Sequence, residues 1–182
     1  INYFNDPTLM TAFYRETIRK RRRNVSLAEA VVNIYKSPYD ASRKDAVELY
    51  KSRKSTDYSR LDTLVLKLQG GPYNTLFVDI MKYPEYIFAP DFIGDYIFSF
   101  DRSTRINDRL VYVVNFVQNP EILEPLYQGK LYIDAEKHVL TSAVYSLNIT
   151  NKDLAAKLFV RKKPVTADVW PEGVAYRVDY RE

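Results

Sequence analysis

A chain of 182 residues is the length of one domain, and 46% hydrophobic residues supply enough apolar material for a core. The 27 basic and 23 acidic side chains leave a net charge of +4, a mixed surface unlike the concentrated basic face of a nucleic-acid binder. The absence of cysteine excludes disulfides, zinc–thiolate sites and thiol nucleophiles, and no apolar run reaches the ~18 residues of a membrane-spanning helix. The expectation is a chain with no nucleic-acid partner, no membrane-spanning segment, no metal site and no cofactor.

In chain order, Asp6-Pro7-Thr8 can cap a short helix with Pro at its first position. Residues 12–20 fit a strand pairing with 25–35, although Leu9, Phe13 and Met10, Tyr14 are also i, i+4 pairs; we read a strand. Residues 24–36 alternate, with Ala28, Ala30, Val32 and Ile34 on one face and Glu29 and Asn33 on the other. Leu64, Leu66 and Leu68 alternate with Val65 and Lys67 before the break at Gly70-Gly71-Pro72. Residues 73–83 place Leu76, Phe77, Ile80 and Met81 on one helical face and stop at Pro84.

Tyr96, Phe98 and Phe100 alternate with Ile97 and Ser99, a polar turn spans 101–109, and a β-branched run fills 110–117. The pair predicts an antiparallel hairpin. Residues 129–134 and 139–149 predict a second, turning through Ala135-Glu136-Lys137. Residues 151–160 put Leu154, Ala155, Leu158 and Phe159 on one helical face, with basic residues at its end and Pro164 beyond. Residues 175–182 read as a strand that stops in mid-pattern. With Ile1 in place of an initiator Met, the expectation is a fragment of a longer protein. No repeat or linker divides it, so 1–182 is read as a single domain. The expected fold is mainly β (α+β): a curved antiparallel sheet or half-barrel with two or three short helices.

Catalytic arrangements are hard to assemble from these residues. The lone histidine, His138, falls at a hairpin turn, where a buried and oriented imidazole is rarely available. Gly70-Gly71 is not followed by the Lys-Ser or Lys-Thr of a phosphate loop. Asp79, Glu85, Asp91, Asp95 and Asp101 lie among aromatic residues, as a sugar-cleaving pair would, and a carbohydrate-active enzyme is the third reading. Two other features look like binding surfaces. Tyr83, Tyr86, Phe88, Phe92, Tyr96, Phe98 and Phe100 form an aromatic belt around Pro84 and Pro90; most of it reads as core, and Phe88, Phe92, Tyr96, Phe98 and Phe100 are the candidates to line an apolar groove instead. Arg19, Lys20, Arg21, Arg22 and Arg23 form a basic run that either grips phosphate or is a solvated hairpin tip. Asn24-Val25-Ser26 and Asn148-Ile149-Thr150 match the N-glycosylation pattern, and Asp62-Thr63-Leu64 is similar to the O-glycosylation motif of Bacteroidota envelope proteins.

Phe13-Tyr14-Arg15-Glu16, the stretch Ser-Leu-Ala-Glu-Ala-Val-Val-Asn-Ile-Tyr-Lys from Ser26 to Lys36, and Lys51-Ser52-Arg53-Lys54 resemble Bacteroidota cell-envelope proteins. The resemblance is to the region of unassigned function that follows a carboxypeptidase-regulatory-like domain. It implies export to the periplasm or outer membrane and nothing enzymatic. The hairpin Gly129-Lys130-Leu131-Tyr132-Ile133-Asp134, turn, strand is similar to one in the lipoprotein-carrier superfamily. That likeness implies a half-barrel whose concave face, covered by helices, accepts acyl chains. The expected function is a non-catalytic envelope module that binds a lipid, a lipoprotein or another apolar ligand. The alternative is a protein–protein scaffold module of an outer-membrane assembly.

Overall fold

The computed structural model describes residues 6–20, 22–57, 67–68, 70–88, 90–163, 165–166 and 168–180. The chain divides into two compact units, Ile1–Leu76 with Lys162–Pro164, and Phe77–Arg161 with Val165–Glu182. The fold is mainly β, with a curled antiparallel half-barrel and two short helices, as the alternation predicts.

The first unit holds β1 (Thr8–Lys20), β2 (Arg23–Lys36), β3 (Ala46–Thr56), the two-residue β4 (Lys67–Leu68) and the single-turn helix α1 (Pro72–Thr75). β1, β2 and β3 form the antiparallel half-barrel in that order. Asp6-Pro7-Thr8 starts no helix. The Thr8 hydroxyl donates to the Asp6 carbonyl at 3.2 Å, and Thr8 opens β1 directly. β2 and β3 are joined by a loop pinned on Asp45, whose Oδ1 accepts from the Ser37 backbone N–H at 2.9 Å.

The pairing of β2 with β3 is interrupted once. Ala28 faces Lys54, Ala30 faces Ser52 and Val31 faces Lys51, but Val32 then faces Leu49, which leaves Tyr50 as an extra residue. Such a bulge bends a long strand and tightens its twist, which suits a sheet that curls.

The second unit carries β5 (Tyr96–Ile106), β6 (Arg109–Gln118), β7 (Tyr127–Asp134), β8 (Leu140–Leu147), the helix α2 (Lys152–Phe159) and β10 (Ala175–Asp179), and the short β9 (Val160–Lys162) contains the chain boundary between the units. Its antiparallel sheet runs β10-β8-β7-β6-β5. One face packs Tyr96, Phe116, Ala143 and Tyr145 against Ile80 and Ile87. Gly129 makes this packing possible. A Cβ there would stand 2.1 Å from the Val144 carbonyl oxygen and 2.6 Å from Tyr145 Cα.

α2 forms where the periodicity places it, and the Asn151 side chain caps it by accepting from the Leu154 N–H at 3.1 Å. The helix expected over 73–83 is mostly absent. α1 ends at Thr75, a 3-10 turn covers Leu76–Val78, and the Asp79 carboxylate then accepts from the N–H groups of Met81 and Lys82 at 3.3 Å each. Asp79 closes a turn with its own side chain, a competition that disfavours continued helix. The unit boundary, Leu76 to Phe77, falls inside this same stretch.

Candidate functional site

The half-barrel has two unlike faces. On one, Glu29 pairs with Arg15 at 3.3 Å and with Arg53, while Glu48 accepts from the Tyr35 hydroxyl at 2.7 Å and from Asn33. Those bonds hold the Glu48 carboxyl below its usual range and raise the Tyr35 phenol. Phe13 and Leu9 stand exposed among these polar groups.

The other face carries Ala28, Ala30 and Val32 of β2 beside Val47 and Leu49 of β3. Here lies a groove of about 530 Å³. Period-two alternation selects those β2 residues, and the bulge at Tyr50 keeps Leu49 and Val47 in step with them. Tyr14 of β1, paired with Ala30, forms one side, and Pro72 and Tyr73 of α1 form another.

Local chemistry fixes that wall. Gly71 has φ +101°, a conformation that glycine adopts freely, and it precedes Pro72 at the first helical position. The Gly71 N–H donates to the Tyr14 hydroxyl at 3.1 Å, and the hydroxyl donates to Glu16 Oε2 at 2.7 Å. Burial first, and then the Glu16 carboxylate, push the Tyr14 phenol up to about 12.

Ser52 and Lys54 line the groove where it becomes polar, and the paired Glu29 and Arg53 also border it. The volume lies within the roughly 300–1,000 Å³ of small-molecule sites, and an apolar floor with a few polar groups is their usual lining. The groove was not legible in the sequence, because β3 was not recognised as its second strand.

The aromatic residues chosen from the sequence do not form one groove. The Phe88 ring packs edge-on against Phe116 at 4.9 Å and Tyr96 at 5.8 Å, and lies 6.0 Å from Phe98. Phe116 is fully buried and Tyr96 is 8% exposed, so these rings fill the second unit's core. Phe98 is half-exposed at its margin, and Phe100 is 81% exposed. Phe92 lies in the 3-10 segment Pro90–Asp95, and its side chain is outside the described residues.

The basic run occupies the β1–β2 turn. Lys20 pairs with Arg23 across the hairpin, Arg22 has φ +66°, and Arg21 is outside the described residues. Arg19 donates from Nε to Asn24 Oδ1 at 2.9 Å, while Arg22 and Arg23 are exposed.

His138 is exposed in the β7–β8 turn with φ +53°. Among the candidate carboxylates, Asp79 Oδ1 accepts from the Tyr180 hydroxyl at 2.9 Å. Asp101 pairs with Lys130 at 2.7 Å, which holds its carboxyl low. Asn148 turns its oxygen to Thr150 and its amide to Gln118 Oε1 at 3.2 Å, so its side chain is engaged on both sides. Asp62-Thr63-Leu64 is outside the described residues.

Among the described residues no helix is long and apolar enough to cross a membrane, and no three His, Asp or Glu side chains gather as metal ligands would. Comparison with protein-family models, with curated proteins and with solved structures gives no match.

Proposed function

We propose that this chain is a non-catalytic binding module of the cell envelope, and that its half-barrel unit takes an apolar ligand, a lipid or a lipidated segment. The observation that carries the reading is the groove of about 530 Å³ over Ala28, Ala30, Val32, Val47 and Leu49. Small side chains at Ala28 and Ala30 leave room above the sheet where larger residues would fill it. An acyl chain laid there gains about 0.8 kcal/mol per methylene removed from water. Placement in the periplasm or at the outer membrane follows the resemblance of the Phe13–Glu16 and Ser26–Lys36 blocks to envelope proteins.

Two measurements test this. Native mass spectrometry and organic extraction of full-length protein, purified gently from its own envelope, should reveal a co-purifying lipid or acylated peptide. In vitro, N-phenylnaphthylamine should brighten on binding, and Ala30→Trp should abolish the signal while the circular dichroism spectrum stays unchanged. An apo mass with no probe uptake would sink the proposal.

A second reading, a protein–protein module, is favoured by β5. It is an edge strand of its sheet, and Ile97 and Phe100 on it are 55% and 81% exposed. An exposed strand edge with apolar side chains is a template for strand addition. Cross-linking in intact envelopes would reveal such a partner.

A further inference from the structure

The groove changes character along its length. The sheet face that carries it runs Ile34, Val32, Ala30, Ala28, Ser26 on β2, and the residues paired with them on β3 run Val47, Leu49, Ser52, Lys54, Thr56. One end is aliphatic, the middle is narrow-sided, and the other end is polar. At the polar end the hydroxyls of Ser26 and Thr56 lie 3.2 Å apart and satisfy each other.

Ser52 and Lys54 have no such arrangement. Among the described residues neither side chain has a hydrogen-bond or ion-pair partner, and both line the groove. They sit two residues apart on one strand, so their Cα atoms are about 7 Å apart and both side chains leave the same face. A hydroxyl and an ammonium therefore converge on the space above Ala28 and Ala30.

Lys54 is exposed to solvent, and among the described residues no carboxylate pairs with its ammonium. Arg53, which alternates away from Lys54, is neutralised by Glu29, and both border the groove. Glu16 lies in the same cross-strand row as Lys54, on the far side of Ala28. Two strand spacings, about 10 Å, separate the two positions, and the Glu16 carboxylate already accepts from Tyr14. Anionic character is thus concentrated at the β1 side and an open cation at the β3 side.

We propose that the groove selects a single-chain amphiphile with a carboxylate head. Lys54 and Ser52 hold the head, and the chain lies along Ala30 and Leu49 toward Val47. This rests on the reading that the groove accepts an apolar ligand, and it adds the head group and the direction of the chain. A carboxylate suits one ammonium and one hydroxyl, which give it a charge-assisted hydrogen bond and a neutral one.

The test compares four ligands with the same chain: dodecanoate, dodecyl phosphate, dodecanol and dodecyltrimethylammonium, each displacing N-phenylnaphthylamine from the full chain. Dodecanoate should bind about fivefold more tightly than dodecanol, as expected for one partly exposed charge pair, and the cation should bind most weakly. Lys54→Gln should remove the preference for dodecanoate, Lys54→Arg should keep it, and Ser52→Ala should reduce it. Added salt should narrow the gap. Equal binding of all four, or a preference unchanged in Lys54→Gln, would overturn the head-group assignment and leave the apolar groove standing. Tighter binding of dodecyl phosphate would overturn the carboxylate. If none of the four displaces the probe, the apolar-ligand reading itself fails.

Discussion

The backbone N–H of Gly71 donates to the hydroxyl of Tyr14 at 3.1 Å, joining positions 57 residues apart in the first unit. The same hydroxyl donates to Glu16, so one phenol ties the α1 turn to β1. Tyr14→Phe keeps the ring and removes both bonds. Urea unfolding should show a loss of about 1 kcal/mol, the usual net value of a partly buried hydrogen bond. Probe uptake should weaken as well, because Pro72 and Tyr73 lose their anchor. A variant as stable as the parent would mean that the α1 turn is held by other contacts.

Alkaline stability follows from the tyrosines. Burial pushes the phenols of Tyr14 and Tyr96 up to about 12, and it raises Tyr127, Tyr145 and Tyr180 as well. A phenol whose folded value exceeds its unfolded value of about 10 keeps its proton longer when folded. Its stabilising contribution is complete below pH ~10 and is lost as pH rises through the folded value. Unfolding free energy should therefore fall beyond pH ~10, and ultraviolet titration should show tyrosines that ionise late. Tyr145→Phe should remove part of the alkaline fall. A single ordinary titration of all 16 tyrosines would contradict this.

Packing in the second unit sets a contrast between two phenylalanines. Phe116 is fully buried among Phe88 and Tyr96, so Phe116→Ala should cost about 3–5 kcal/mol. Phe100 is 81% exposed, and Phe100→Ser should stay within about 0.5 kcal/mol of the parent. Gly129→Ala should cost about 3 kcal/mol, because the new methyl meets β8 backbone that cannot step aside. Urea unfolding compares the three variants.

Asp134 organises the turn after β7. Its Oδ1 accepts from the N–H groups of Glu136 and Lys137 at 2.9 Å each, and Arg109 stands 3.5 Å from Oδ2. The Lys137 N–H, the Glu136 N–H and Arg109 hold the carboxyl below its usual value, against the opposing effect of burial. A depressed carboxyl stabilises the fold above its unfolded value and stops doing so as pH falls through the folded one. Asp134→Asn should lower the thermal midpoint at neutral pH, and the difference should fade as pH drops below the ordinary carboxyl value and through the depressed folded one. A difference that persists in acid would assign the effect to shape rather than charge.

Hairpins were legible because they are local. The alternation of Tyr96, Phe98 and Phe100 and the β-branched run after Leu110 pair as β5 and β6, and the Gly129–Asp134 motif pairs with β8. The structure supplies the reasons for that motif: Gly129 admits Tyr145, and Asp134 caps the turn. The ambiguous Leu9, Phe13 and Met10, Tyr14 spacing resolves as β1 because β2 offers a 14-residue partner strand. Residues 73–83 misled because a helical spacing of apolar side chains says nothing of the Asp79 side chain that ends the turn. The groove was hidden for another reason. Leu49 and Ser52 point the same way although they are three apart in sequence, so no strict alternation exposes β3. Phe88, Tyr96 and Phe98 lie together, but sequence density cannot distinguish a lined space from a filled one.

Tyr50 therefore has an influence out of proportion to its contacts. It is the residue that lets β3 change parity: in an unbulged ladder Tyr50 would stand beside Val32, Glu48 beside Ile34, and Leu49 would turn away. One codon inserted at this point, with the pairing beyond Lys51 held, would bring Tyr50 and Glu48 onto the floor in place of Leu49 and Val47. A lineage could change what this sheet is able to hold by a step in length, with no substitution anywhere along the groove.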